Sequence, residues 1–158
     1  MKQRVYTDTS VIGGCLDVEF QAPSVRLVEK FRSGEAIVVL SDLTLLELAN
    51  APQKVRDVLK RIPEEYREYI SLTAEAKELA ELYLRESVLG PGKRIDAQHI
   101  AIATISRVHV LVSWNFQHIV NLERIRGYNS INVREGYPVL EIRSPWEVFV
   151  DEESCKEI

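Results

Sequence analysis

"RIDAQHIAIATI", residues 94–105, is the stretch whose reading decides the fold. From Ile100 to Ile105 it is almost wholly apolar, and a helical wheel leaves it no clear polar face. A helix of that kind belongs in a core. Yet Asp96 and His99 fall in its first turn, an ionisable pair at the mouth of a buried element. Charge complementation at a helix N-terminus accounts for Asp96. It gives His99 no role. That residue reads either as a hydrogen-bonded core histidine or as a partner for Asp96 or a phosphate.

Working outward, "VHVLVS" (108–113) follows as a core strand, and "AIVVLS" (36–41) is a second continuously apolar, β-branched run. Such runs suit parallel strands buried on both faces. "RVYTD" (4–8) is a short strand ending in an acid, and "PVLEIRSP" (138–145) reads as an edge strand, where proline is tolerated. "ISLT" (70–73) is a further strand candidate. Between them the patterns predict helices over 22–34, 42–51, 52–62 and 74–88, a helical turn at "PEEYREY" (63–69) and a partly helical stretch over 121–137. This alternation implies a three-layer α/β/α sandwich around a central, mostly parallel sheet.

The chain has 158 residues, 46% of them apolar, enough for one domain with a full core. We place that domain at 1–146. Residues 147–158, "EVFVDEESCKEI", carry five acids and one lysine, so the whole net charge of −4 lies in an acidic C-terminal tail on a neutral body. The local surplus of cations in "PQKVRDVLKR" (52–61) reads as a solvated helix face. Asp8 interrupts the N-terminus before any long apolar run, which argues against a signal peptide, and no stretch is long enough to cross a bilayer. Cys15 and Cys155 suggest no disulfide framework. Both read as reduced thiols of a cytoplasmic protein, and the three histidines and two cysteines fit no zinc spacing.

In a parallel sheet, ligands bind beyond the carboxyl ends of the strands, near the point where strand order reverses. Four positions fall where such ends should meet. Asp8 closes the first strand, though an Asx-type turn or helix N-cap explains it as well. Glu47 shares a helical stripe with Leu43, Leu46 and Asn50, with Leu45 and Leu48 covering the rest, and a Glu so surrounded pays a desolvation cost unless a cation or donor meets it. Asp96 opens the apolar helix, and Asn115 follows the last core strand in "VSWNFQHI" (112–119). Trp114 and Phe116 flank Asn115 as packing residues, with base stacking by Trp114 as the alternative; His118 lies three residues on. Carboxylates crowded in a dry pocket repel one another unless a cation intervenes. Mg²⁺ or Mn²⁺ meets that need with oxygen ligands and can activate water against a phosphodiester.

"VYTDTSVI", "LSDLTLLELA", "RIDAQHIAIA" and "VLVSWNFQHI", in this order, resemble the motifs of the PIN domain family, over roughly residues 4 to 146. Members are small α/β/α metal-dependent nucleases, many of them VapC-type toxin ribonucleases of toxin–antitoxin pairs. The resemblance implies that Asp8, Glu47 and Asp96 are catalytic metal ligands and that Asn115 holds the fourth acidic position. Asparagine brings no charge there, only a carbonyl oxygen. By the same resemblance Ser10 is a supporting or phosphate-side group, and from the residue readings above we place His99, Trp114 and His118 with it on the substrate side or in the supporting shell. The resemblance also implies that the partners are RNA, a second copy in a homodimer and a small antitoxin protein. Tyr66, Tyr69 and Tyr83 lie on segments able to form such interfaces, or simply pack. Two other accounts compete: a PIN-fold RNA- or protein-binding module weakened by Asn115, and a phosphoacceptor using Asp8. The second lacks any "GxxxxGK" phosphate loop.

Overall fold

The computed structural model describes residues 2–149, so Cys155 and most of the acidic tail lie outside the described residues. Five strands form one sheet: β1 (Gln3–Thr7), β2 (Ala36–Ser41), β3 (Arg67–Ile70), β4 (Val110–Val112) and β5 (Ile142–Arg143). Their order is β3-β2-β1-β4-β5, and every pairing is parallel. From β1 the chain first builds outward through β2 and β3, then crosses back to add β4 and β5 on the other side. Strand order therefore reverses between β1 and β4, the crevice in which open α/β sheets bind ligands.

Among the described residues the α-helices are α1 (Thr9–Gly14), α2 (Gln21–Arg32), α3 (Asp42–Ala49), α4 (Gln53–Lys60), α5 (Ala74–Arg85), α6 (Arg94–Ile105) and α7 (Leu122–Arg134). Side-chain alternation along the strands divides the core between two faces. Tyr6, Val39, Leu111 and Ile142 pack with α5, α6 and α7, whereas Val5, Val38, Leu40 and Val112 pack with α1, α2 and α4. The three-layer sandwich is thus the observed architecture. The apolar helix α6 is buried along one continuous run, Ala97 to Thr104. Among the described residues, no helix is long and apolar enough to cross a membrane.

Local chemistry explains where the elements stop. Ser41, Thr73 and Asn121 cap α3, α5 and α7 by accepting from backbone N–H groups in the first turn. Gly34 ends α2 at a φ of +82°, and the Tyr66 ring occupies the space that a Cβ there would need. Three details depart from the sequence pattern. Strand β3 runs from Arg67 to Ile70, so "ISLT" contributes only its first residue; the register is set by pairing with Val38–Ser41. The segment 121–137, expected to be mixed, forms one 13-residue helix. Helix α1 was hidden by Gly13 and Gly14, poor helix formers on propensity alone. Gly14 is required by packing, because a Cβ there would collide with Ser24 and Trp114.

Burial along α6 gives a direct test. Ile102 is 1% exposed and Ile95 is 50% exposed. Ile102→Ala should cost about 2–5 kcal/mol, lowering the melting temperature by about 5–15 °C. Ile95→Ala should change stability by no more than about 0.5 kcal/mol. Thermal melts of the two variants check both values.

Candidate active site

Asp8 follows the last residue of β1 and caps α1, with its Oδ1 accepting from the Ser10 backbone N–H at 3.2 Å and from the Ser10 hydroxyl at 2.5 Å. Its Oδ2 accepts from the Ser113 hydroxyl at 2.6 Å, just beyond β4. The carboxylate therefore bridges the two strand ends that flank the switch point. Both serines receive a backbone donor in turn: Trp114 N–H reaches Ser10 Oγ at 2.9 Å, and Asn115 N–H reaches Ser113 Oγ at 3.0 Å. Asp8 is 7% exposed. Burial pushes its carboxyl above the ordinary range, against the pull of nearby His99 and the two serine hydroxyls.

Glu47 projects from α3, whose buried side is formed by Thr44 and Leu48. The stripe inferred from sequence is not a buried one: Leu46 is 65% exposed, and Glu47 itself is 42% exposed at its side chain. Its donor is His99, whose Nε2 lies 2.8 Å from Glu47 Oε1. That hydrogen bond holds the Glu47 carboxyl below its ordinary value. Behind the imidazole, Nδ1 lies 2.6 Å from the Tyr6 hydroxyl, which is 2.8 Å from Ser41 Oγ. The Thr44 hydroxyl stands 3.4 Å from Ser41 Oγ and donates to Thr7 O at 3.4 Å. His99 is thus a hydrogen-bonded core histidine, and its acid is Glu47 rather than Asp96.

Asp96 has a different partner, with its Oδ2 lying 3.4 Å from His118 Nδ1. Asn115 spends its side-chain carbonyl on a turn, accepting from the His118 backbone N–H at 3.0 Å. Trp114 is buried, stacked on Phe20 with ring centres 4.2 Å apart, and donates Nε1–H to Ser24 Oγ at 2.8 Å. Packing against Phe20 and Ser24 accounts for its position. Of the three tyrosines, Tyr83 is fully buried, Tyr66 packs beneath Gly34, and Tyr69 is half exposed.

The electrostatics join two of the acids. Asp8 feels the charge of Glu47, and both feel His99. Among the described residues, no three His, Cys, Asp or Glu side chains form a group that could hold a metal ion. The donor set nonetheless fits a hard divalent cation in kind, since Asp8, Glu47, Asp96 and Asn115 all offer oxygen. A further sign is the Thr9 hydroxyl, beside Asp8. It is buried without a hydrogen-bond partner of normal geometry, although it lies close enough to Glu47 to favour the charged form. Sequence reasoning passed over Tyr6, Ser41, Thr9 and Ser113. Ser113 carried a usable signal, a polar residue directly after a core strand; Tyr6 read only as an apolar strand residue.

No family model and no curated protein matches the chain. Solved structures do. A chain of FitAcB from Neisseria gonorrhoeae superposes with a TM-score of 0.57 at 12% identity, covering 90% of this chain and 98% of that one. VapBC2 from Rickettsia felis, bound to a promoter DNA fragment, gives 0.56 at 14%, with 90% and 98% covered. VapC20 from Mycobacterium tuberculosis, a sarcin–ricin-loop-cleaving toxin, gives 0.54 at 14%, with 86% and 98% covered. At these identities the likeness is one of fold: the chain has the α/β/α architecture of the VapC-type PIN-domain toxins.

Proposed function

We propose that this chain is a divalent-cation-dependent ribonuclease, the toxin of a toxin–antitoxin pair. The observation that carries the reading is the buried Asp8 carboxyl held between the ends of β1 and β4 at the switch point of the sheet, with Glu47 near enough for its charge to act there. Asp8, Glu47, Asp96 and the Asn115 carbonyl are the residues that would hold Mg²⁺ or Mn²⁺. When bound, such an ion supplies positive charge to the carboxylates and to a phosphodiester under attack. The protein's own part is positioning. Ser10 and Ser113 fix both oxygens of Asp8, and His99 fixes Oε1 of Glu47. Oε2 of Glu47 is then the atom assigned to take a proton from the attacking water. Asp96 is held beside His118, with 3.4 Å between Oδ2 and Nδ1. The partners we assign are RNA, a second copy of the chain and a small antitoxin, the last on the strength of the toxin–antitoxin complexes among the similar folds.

A second reading rests on Asn115. Its carbonyl already serves the turn at His118, and it brings no charge, so a PIN-fold module that binds without turnover is the competing account. Asn115→Asp separates the two. Aspartate caps that turn equally well, so the fold should persist. If wild type is inert and only the aspartate variant cleaves RNA, the binding module is correct. The nuclease reading expects cleavage by wild type that chelator stops and a further rise with aspartate.

Glu47→Gln should lower cleavage by about 10²–10⁴-fold, as loss of a base does, with the variant still folded. Asp96→Asn should also abolish measurable turnover in a fluorogenic RNA assay.

Asp8 yields an expectation that needs no substrate. Its folded pKa is raised, so the stability tied to this group is present below the unfolded value near 3.8 and is lost as pH rises through the folded one. In chelator at pH 7.5, Asp8→Asn should therefore melt higher than wild type, and the gap should close towards pH 4. Added Mg²⁺ should raise the wild-type melting temperature, because a ligand bound only by the folded state stabilises it, and should leave Asp8→Asn unmoved.

A further inference from the structure

Four polar side chains run in a line from the interior to the candidate site: Ser41, Tyr6, His99 and Glu47, with gaps of 2.8, 2.6 and 2.8 Å. The first three are 2% exposed or less. We propose that Tyr6 is a positioning residue whose hydroxyl fixes His99 as the tautomer protonated on Nε2, and so holds Glu47 in the orientation its role at the site requires. The inference rests on the reading of Glu47 as a working carboxylate, and it adds a residue to which the motifs assign no role.

The direction of each hydrogen bond follows from the ends of the line. Glu47, ionised, only accepts, so His99 Nε2 carries a proton. In its neutral form the imidazole then has a bare Nδ1, which must receive a donor, and among the described residues its partner there is the Tyr6 hydroxyl. Burial keeps that phenol far from ionising, so it donates at any working pH. Having donated, the Tyr6 oxygen accepts from the Ser41 hydroxyl, and Ser41 Oγ accepts from Thr44 N–H at 3.3 Å, the N-cap bond of α3. The cap of the helix that carries Glu47 and the imidazole that orients Glu47 thus belong to one chain of bonds. Without the phenol, the Nε2–H form loses the donor at its bare nitrogen, and the Nδ1–H tautomer, which cannot donate to Glu47, competes. Partners behind a ligating group typically change metal affinity by 10–100-fold.

The experiment uses Tyr6→Phe, which removes one oxygen and preserves the packing volume, and Ser41→Ala as a milder break in the same line. The first readout is the ¹⁵N spectrum of the His99 ring at pH 8 in wild type, assigned by a His99→Gln variant. The proposal requires the Nε2–H pattern there, and an Nδ1–H or mixed pattern in Tyr6→Phe. The second is Mn²⁺ affinity by titration calorimetry, expected to weaken about 10-fold or more in Tyr6→Phe and less in Ser41→Ala. The third is the same loss measured in the His99→Gln background. A glutamine amide is a fixed donor with no tautomer to choose, so removing the Tyr6 hydroxyl there should cost little more. Wild-type His99 protonated on Nδ1 overturns the proposal even if Tyr6→Phe fails to fold. So does an unchanged ring pattern in Tyr6→Phe, or an equal loss of Mn²⁺ affinity in both backgrounds. A wild-type chain that binds no Mn²⁺ and cleaves no RNA removes the nuclease reading instead, and the ring spectra still decide the tautomer.

Discussion

A carboxylate buried at the point where the sheet changes direction is the constraint around which this molecule is arranged. Asp8 sits where water is largely excluded, and an ion there is costly unless donors surround it. The chain supplies them from both sides of the switch point. Ser10 and its backbone N–H come from α1, and Ser113 comes from the end of β4. One side chain thereby caps a helix, ties β1 to β4 and carries a charge. Removing such a charge is a common way to stabilise an enzyme at the expense of its work, which is why a buried, strained ionisation at a crevice points to function rather than to architecture.

The ionisable pair at the mouth of α6 has its explanation in the same terms. Asp96 and His99 are one turn apart, yet they serve different neighbours: His99 reaches across to Tyr6 and Glu47, and Asp96 reaches the loop after β4 through His118. The buried run from Ala97 to Thr104 holds both in register. A rigid helix packed among Tyr83, Leu111, Tyr128 and Ile131 cannot rotate to exchange one partner for the other. Its apolar composition is therefore part of how the polar groups are aimed.

Much of this was legible in the residues. Continuously apolar runs at 36–41 and 108–113 announced buried parallel strands, and the acids and Asn115 beside their ends announced a crevice. What escaped had physical causes. The start of β3 was set by pairing with β2, a long-range term that no local pattern carries. Helix α1 contains two adjacent glycines, the second required by close approach to Ser24 and Trp114. Glu47 was expected to be desolvated among leucines, but Leu45 and Leu46 face outward, and the donor it needed came from His99, 52 positions later. Wheels and stripes identify a face; they do not say whether anything covers it. Hydroxyl residues were less legible where, like Tyr6 and Ser113, they reach the site through partners distant in sequence; Ser10, two residues from Asp8, was legible.

Those hydroxyls couple the site to the loop after β4. Each serine on Asp8 accepts one backbone N–H from that loop, from Trp114 or Asn115, and passes its own proton to the carboxylate. A serine hydroxyl has one proton and two lone pairs, so each accepts its backbone N–H and still donates to Asp8. Both donations favour the carboxylate, and burial opposes it more strongly, which leaves the carboxyl above its ordinary range. The loop that positions Asn115 is in this way suspended from a charge. On the reading of Asp8 and Asn115 as joint ligands, a cation drawn to Asp8 would meet a loop already tied to that carboxylate through the two serines.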